Sequence, residues 1–257
     1  MPGATELLTA YPVFAPAVAV FASGSITQGW AHAKSDLDLF AVMPGPVDKD
    51  EMPGLELLEV RTTTEDPVSW IALGEIEQYR ADIEVWHAAQ VDELVARFAT
   101  PADKYTVRPN NAEKDLLYRL SKGVALAGED WLIAHQQALY KSSYGAWLAE
   151  NQKLDAEGFL EDVEGLLQSG DGHSAALAAH RGVTTALGAL LALYDDYSSS
   201  QKWLYRRLVA AEPKELSAAE GWAALSMSGC SDDPAGWAAT SARLIERMLT
   251  AVELRNL

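Results

Sequence analysis

The sequence predicts an α+β chain: a small mixed-sheet unit over residues 1–105, followed by an α-helical bundle over residues 106–257. Three observations carry this. Short β-prone runs broken by Gly, Ser and Pro crowd the first hundred residues. After Pro101 they fade, and long Ala-, Leu- and Glu-rich segments with helical spacing take over. The 257 residues are 49% apolar, enough for the cores of one large or two ordinary domains.

Each element has its own signal. Ala17–Ala22 is a compact apolar run closed by Ser23-Gly24-Ser25, a strand followed by a turn. Asp36–Val42 alternates polar and apolar before turning wholly apolar, as a strand does when one end is buried and the other reaches solvent. A Pro- and charge-rich loop over residues 44–53 separates it from a third strand, Leu55–Thr63. Ile83–Trp86 reads as a fourth. Val91, Leu94, Val95 and Phe98 share one face of a helix. Pro101–Asn111 is the expected linker. Helices are expected near 112–127, 130–150, 156–168, 173–194, 202–210 and 235–255. In the fourth, Leu187, Leu190, Leu191 and Tyr194 form the stripe of a packed helix.

Charge and composition narrow the function. The chain has 37 acidic and 20 basic side chains, a net charge of -17. Such a surface repels a phosphate backbone, so nucleic acid is not an expected partner. It suits metal ions, cationic small molecules or plain solvation. A single cysteine, Cys230, rules out an internal disulfide. No apolar run approaches the ~20 residues of a membrane span, and no basic residue precedes Lys34, as a secretory leader would require. A cytoplasmic location without membrane partners is the expectation.

The chemistry concentrates in residues 24–39. Asp36 and Asp38, two apart on a strand, put two carboxylates on one face, an arrangement suited to hard cations such as Mg²⁺. The Gly24-Ser25 turn upstream offers backbone N–H groups, a hydroxyl and the expected start of a helix, a place for phosphate oxygens. Metal-binding acids beside a phosphate cradle are what nucleotidyl transfer needs. An Asp-x-Asp or a Gly-Ser turn alone is more often a solvated strand end.

Gly24-Ser25, Gly29 and Ser35-Asp36-Leu37-Asp38-Leu39 together resemble the signature of the nucleotidyltransferase superfamily related to DNA polymerase β. Within it, the chain is similar to the streptomycin/spectinomycin-type aminoglycoside adenylyltransferases. The motif match covers about residues 21–42; the rest is likeness of architecture. The resemblance implies ATP as co-substrate, two Mg²⁺ ions on Asp36 and Asp38, and nucleotide contacts from Gly24, Ser25 and Ser35. It also implies a third carboxylate on a neighbouring strand, as metal ligand or base. Glu84, flanked by apolar Ile83 and Val85, is the first choice and Asp82 the second. Lys202, after a long apolar helix, matches a lysine that reaches the triphosphate.

Alternatives stay open at several positions. Lys202, Arg206 and Arg207 are equally readable as surface ions offsetting nearby acids. Tyr194-Asp195-Asp196-Tyr197 reads either as helix-end residues or as a platform for a cationic acceptor. The activity implied is transfer of AMP to a hydroxyl of a small, aminoglycoside-like acceptor, and hence a role in antibiotic resistance. A biosynthetic or protein-modifying nucleotidyltransferase, or a nucleotide- or partner-binding module without turnover, are the rivals.

Overall fold

The computed structural model of the chain describes residues 4–101, 106 and 108–255, so the expected linker lies partly outside the described residues. Two compact units result, Met1–Ser143 and Tyr144–Leu257. The first therefore runs well past the boundary expected at 105, because a strand and two helices beyond it pack on the sheet.

That sheet contains β1 (Ala19–Ser23), β2 (Leu37–Met43), β3 (Glu56–Arg61), β4 (Val68–Ile76), β5 (Tyr79–His87) and β6 (Val124–Ala127), in the order β3-β4-β5-β2-β1-β6. All pairings are antiparallel except β2 with β5. The parallel pair lies in the middle, where strands must be apolar on both faces, and the run from Leu39 to Met43 meets that demand. One face buries Val20, Ala22, Leu37, Leu39, Ala41, Ile83 and Val85 against Leu7 of α1 (Ala4–Ala10), Phe14 and Met52. Burial of each large side chain contributes about 1.5–3 kcal/mol. On the opposite face Phe21 stacks on Phe40, with ring centroids 4.8 Å apart, and the polar residues of β2 and β5 continue the row.

Helices α2 (Ala88–Ala96), α3 (Asn111–Ser121) and α4 (Glu129–Lys141) complete this unit. A reciprocal cap between Asn110 and Glu113 starts α3. The single helix expected over 112–127 is instead α3 followed by β6. Residues 124–127 leave the helix to pair with β1, whose edge would otherwise be open. Strand β4 is also additional, and it turns into β5 through Glu77 and Gln78. No helix follows Gly24-Ser25, contrary to expectation. Residues 24–29 form successive turns held by Gln28 N–H to Gly24 O and Trp30 N–H to Ser25 O.

The second unit contains α5 (Tyr144–Gln168), α6 (Gly172–Ala192), α7 (Leu204–Ala211), α8 (Ala218–Leu225) and α9 (Pro234–Arg255). Leu187, Leu190 and Leu191 of α6 pack with Leu204, Leu208, Ile245 and Met248. Gly182 lets α6 approach α9, since a Cβ there would meet Ile245 Cδ1 at 2.6 Å. Helix α6 is long and apolar enough to cross a membrane by length and composition alone, more than the short apolar runs had suggested. Most of it is buried inside this unit, as in the core helix of a bundle.

Candidate active site

The parallel register decides which acids meet. Asp38 pairs with Asp82 and Phe40 with Glu84, so Asp38, Asp82 and Glu84 project from one face of neighbouring strands. Asp36 stands just before β2, where Arg80 Nη2 donates to its Oδ2 at 3.4 Å. Ser23 of β1 lies opposite Asp38 on the other side.

Gly24 leaves β1 with φ +83°, a conformation that favours glycine. A Cβ there would overlap Asp38 Oδ2 and crowd Arg119 Nη1. Only glycine gives the Asp38 carboxylate this space, which is the local reason for the Gly-Ser pair. Ser25 is half-buried in the turns that follow. Ser35 is committed to the loop: its Oγ accepts from His32 N–H at 3.0 Å, shaping the approach to Asp36.

Arg119 is the residue that local sequence reading missed. From α3 its Nη1 lies 3.2 Å from Asp38 Oδ2, while its Nε lies 3.2 Å from Asp115 Oδ2. Burial opposes its charge, but Asp115, Asp38 and Glu84 together hold it protonated. Burial lifts the Asp38 carboxyl above its ordinary value despite Arg119. Burial and the charge on Asp36 do the same for Asp82, against the pull of Arg80.

Glu84 is the most perturbed of these acids, pushed up to about 7. Burial is the largest cause; the charges of Asp115 and Asp38 add to it, while Arg119 and a 3.1 Å bond donated by Trp86 Nε1 oppose it. Ile83 and Val85 enter the core and Glu84 faces the other way, half-buried. A carboxyl poised near neutrality, beside other acids, can take a proton from a reacting hydroxyl.

Oxygen donors of this kind suit a hard cation. In the free chain Arg119 and Arg80 supply the positive charge. Among the described residues no three of His, Cys, Asp and Glu close into a metal cage. The fit to Mg²⁺ is one of donor type and placement, with the side chains still paired to arginines.

Lys202 belongs to the helical unit, exposed, with its Nζ 4.7 Å from the centroid of the Trp203 ring. Arg207 is not a surface ion. It is 3% exposed, its Nε bonds Asp196 Oδ2 at 2.9 Å and its Nη1 bonds Ser200 O. The 194–197 segment is likewise engaged within the unit: Tyr194 OH donates to Glu215, Tyr197 OH donates to Asp195, and Asp196 holds Arg207.

Neither a family model nor a curated protein matches the sequence. Among solved structures, the chain is similar to a nucleotidyltransferase-like protein from Exiguobacterium sibiricum. The TM-score is 0.50 at 10% identity, over 97% of this chain and 74% of that one. The fold is nucleotidyltransferase-like. At that identity the likeness speaks for architecture alone and does not extend to the aminoglycoside-type adenylyltransferases.

Proposed function

We propose that the chain is a nucleotidyltransferase that moves a nucleoside monophosphate, AMP from ATP, onto a hydroxyl of a small acceptor. The observation that carries this reading is Asp38 beside Asp82 on parallel strands, with Asp36 preceding and Gly24 opening the strand end against Asp38. Asp36 and Asp38 would hold Mg²⁺, two ions as the motif implies. The register favours Asp82 as the third oxygen donor and leaves Glu84 as the proton acceptor, although Glu84 also fits the ligand role. The metal supplies charge neutralisation of the triphosphate and of the departing pyrophosphate.

The chain's own groups do the positioning. Gly24 and Ser25 let phosphate oxygens approach the backbone and a hydroxyl. Ser35 fixes the loop that presents Asp36. Glu84, poised near 7, receives the acceptor's proton. Arg119, once Asp38 turns to a cation, is released to pair with phosphate. Lys202 is proposed as a further phosphate contact, and the net charge of -17 favours a cationic, aminoglycoside-like acceptor. The rival reading is nucleotide binding without turnover.

Incubation with each nucleoside triphosphate, Mg²⁺ and a panel of aminoglycosides, read by mass spectrometry and pyrophosphate release, separates the two readings. An acceptor heavier by one nucleotide supports transfer, and Asp38→Asn should lower that rate by orders of magnitude while the protein stays folded. Nucleotide binding without product in every combination supports the second reading. Unchanged turnover in Asp38→Asn removes the assigned site.

A further inference from the structure

The helical unit contains a cavity of about 510 Å³ between α8 and α9, which the transferase chemistry does not use. Its size falls in the range of small-molecule sites. Ala223 and Ala224 of α8, with Trp237 and Leu244 of α9, supply an apolar wall. The cavity opens to solvent, and an aromatic or aliphatic body that displaces water from its apolar wall gains by burial.

The polar groups on the wall are few, and they share one preference. Arg247 is neutralised by Glu220 at 2.9 Å. Arg243 is not: among the described residues its polar partner is Thr240 Oγ1, at 3.1 Å, and no carboxylate pairs with it. In a chain with a net charge of -17, an arginine without an acid at the mouth of an apolar cavity stands out. Ser241 provides an independent observation. It is 3% exposed and lines the same cavity, yet its hydroxyl makes no hydrogen bond among the described residues. The hydroxyl itself reaches the open space of the cavity, where it can donate to an occupant in place of water.

We propose that this cavity is a binding site for a small organic anion: a carboxylate with a flat apolar body, the body against Trp237 and Leu244 and the carboxylate bonded by Arg243. Ser241 donates its hydroxyl to the same anion. A cationic ligand would meet Arg243 as a like charge, and a neutral one would gain no charge-assisted bond from it. The site is independent of the transferase reading, whose acceptor is cationic and whose acids lie in the other unit.

The test uses the full chain and three probes of one shape: 2-naphthoate, 2-naphthamide and 2-naphthylmethylamine, titrated by calorimetry with tryptophan fluorescence in parallel. The naphthoate should bind one to one, about 10-fold or more tighter than the amide, and the amine should bind most weakly. Arg243→Ala, an exposed position, should bring the naphthoate down to the level of the amide. Ser241→Ala should weaken the naphthoate about 3- to 10-fold. Ala223→Phe, also at an exposed position, should fill the cavity and remove both ligands while the thermal transition stays in place. The proposal is overturned if the naphthoate does not bind saturably, if all three probes bind alike, or if Arg243→Ala keeps full affinity.

Discussion

Glu84→Gln removes a charge from the carboxylate face while keeping its shape, and Gln can still accept from Trp86 Nε1. Glu84 ionises near 7 in the folded protein, against an ordinary value of 4.5. A difference of that size corresponds to about 3 kcal/mol. Below pH 4.5 the carboxyl is protonated in both folded and unfolded chains, so Glu and Gln should be equally stable within about 0.5 kcal/mol. Between 4.5 and 7 the unfolded chain releases its proton while the folded one retains it, and the native protein loses stability that the variant keeps. Above 7 the difference should level off, with Glu84→Gln about 2–3 kcal/mol more stable. Urea unfolding at pH 4, 6 and 8, with EDTA present, measures this, because titrations away from the Glu84 cluster are shared and cancel. A difference that does not change with pH, or a variant less stable at pH 8, would refute the assignment of a desolvated, acid-flanked carboxylate.

Three further substitutions probe separate features. Arg207→Ala should cost about 3–5 kcal/mol in thermal or urea unfolding, since it strands Asp196 inside the bundle, while exposed Arg206→Ala should stay within about 0.5. Gly24→Ala forces a Cβ into the space of Asp38 at a left-handed φ and should destabilise by about 2 kcal/mol or more; an unchanged melting temperature would contradict the geometry. If Lys202 contacts phosphate, Lys202→Ala should raise the KM for ATP about 10-fold with a smaller effect on the acceptor; unchanged nucleotide kinetics would remove it from the proposed site.

How far the sequence foretold the molecule varied from element to element, for physical reasons. Strands β1 and β2 announce themselves because central strands need unbroken apolar runs, and Asp36 and Asp38 interrupt one where it surfaces. Strand β4 does not, since its hairpin lacks the usual turn residues: Glu77 takes φ +56° where Asn or Gly would normally stand. Residues 124–127, Val-Ala-Leu-Ala, favour a helix by local propensity, and only the unpaired edge of β1 makes them a strand. Helix α8 was not among the expected helices, although the capping sequence Ser217-Ala218-Ala219-Glu220 marks its start. Arg119 had no local signature, because a charged helix residue acquires meaning only when the fold brings it to Asp38. The pairing of Asp82 with Asp38 was hidden in the same way, since strand register is a tertiary property.

The position of β6 carries a consequence for how the protein is made. Val20 of β1 pairs with Ala127, so a strand synthesised among the first residues receives its outer neighbour only after about 100 more have been added. At ordinary translation speeds that interval lasts on the order of 5–20 s. Throughout it the apolar edge of β1 has no cover from its own chain, which makes it a natural point for chaperone contact or for mispairing with another nascent chain. The same long closure sets a slow step for refolding in vitro, and yields should fall as protein concentration rises.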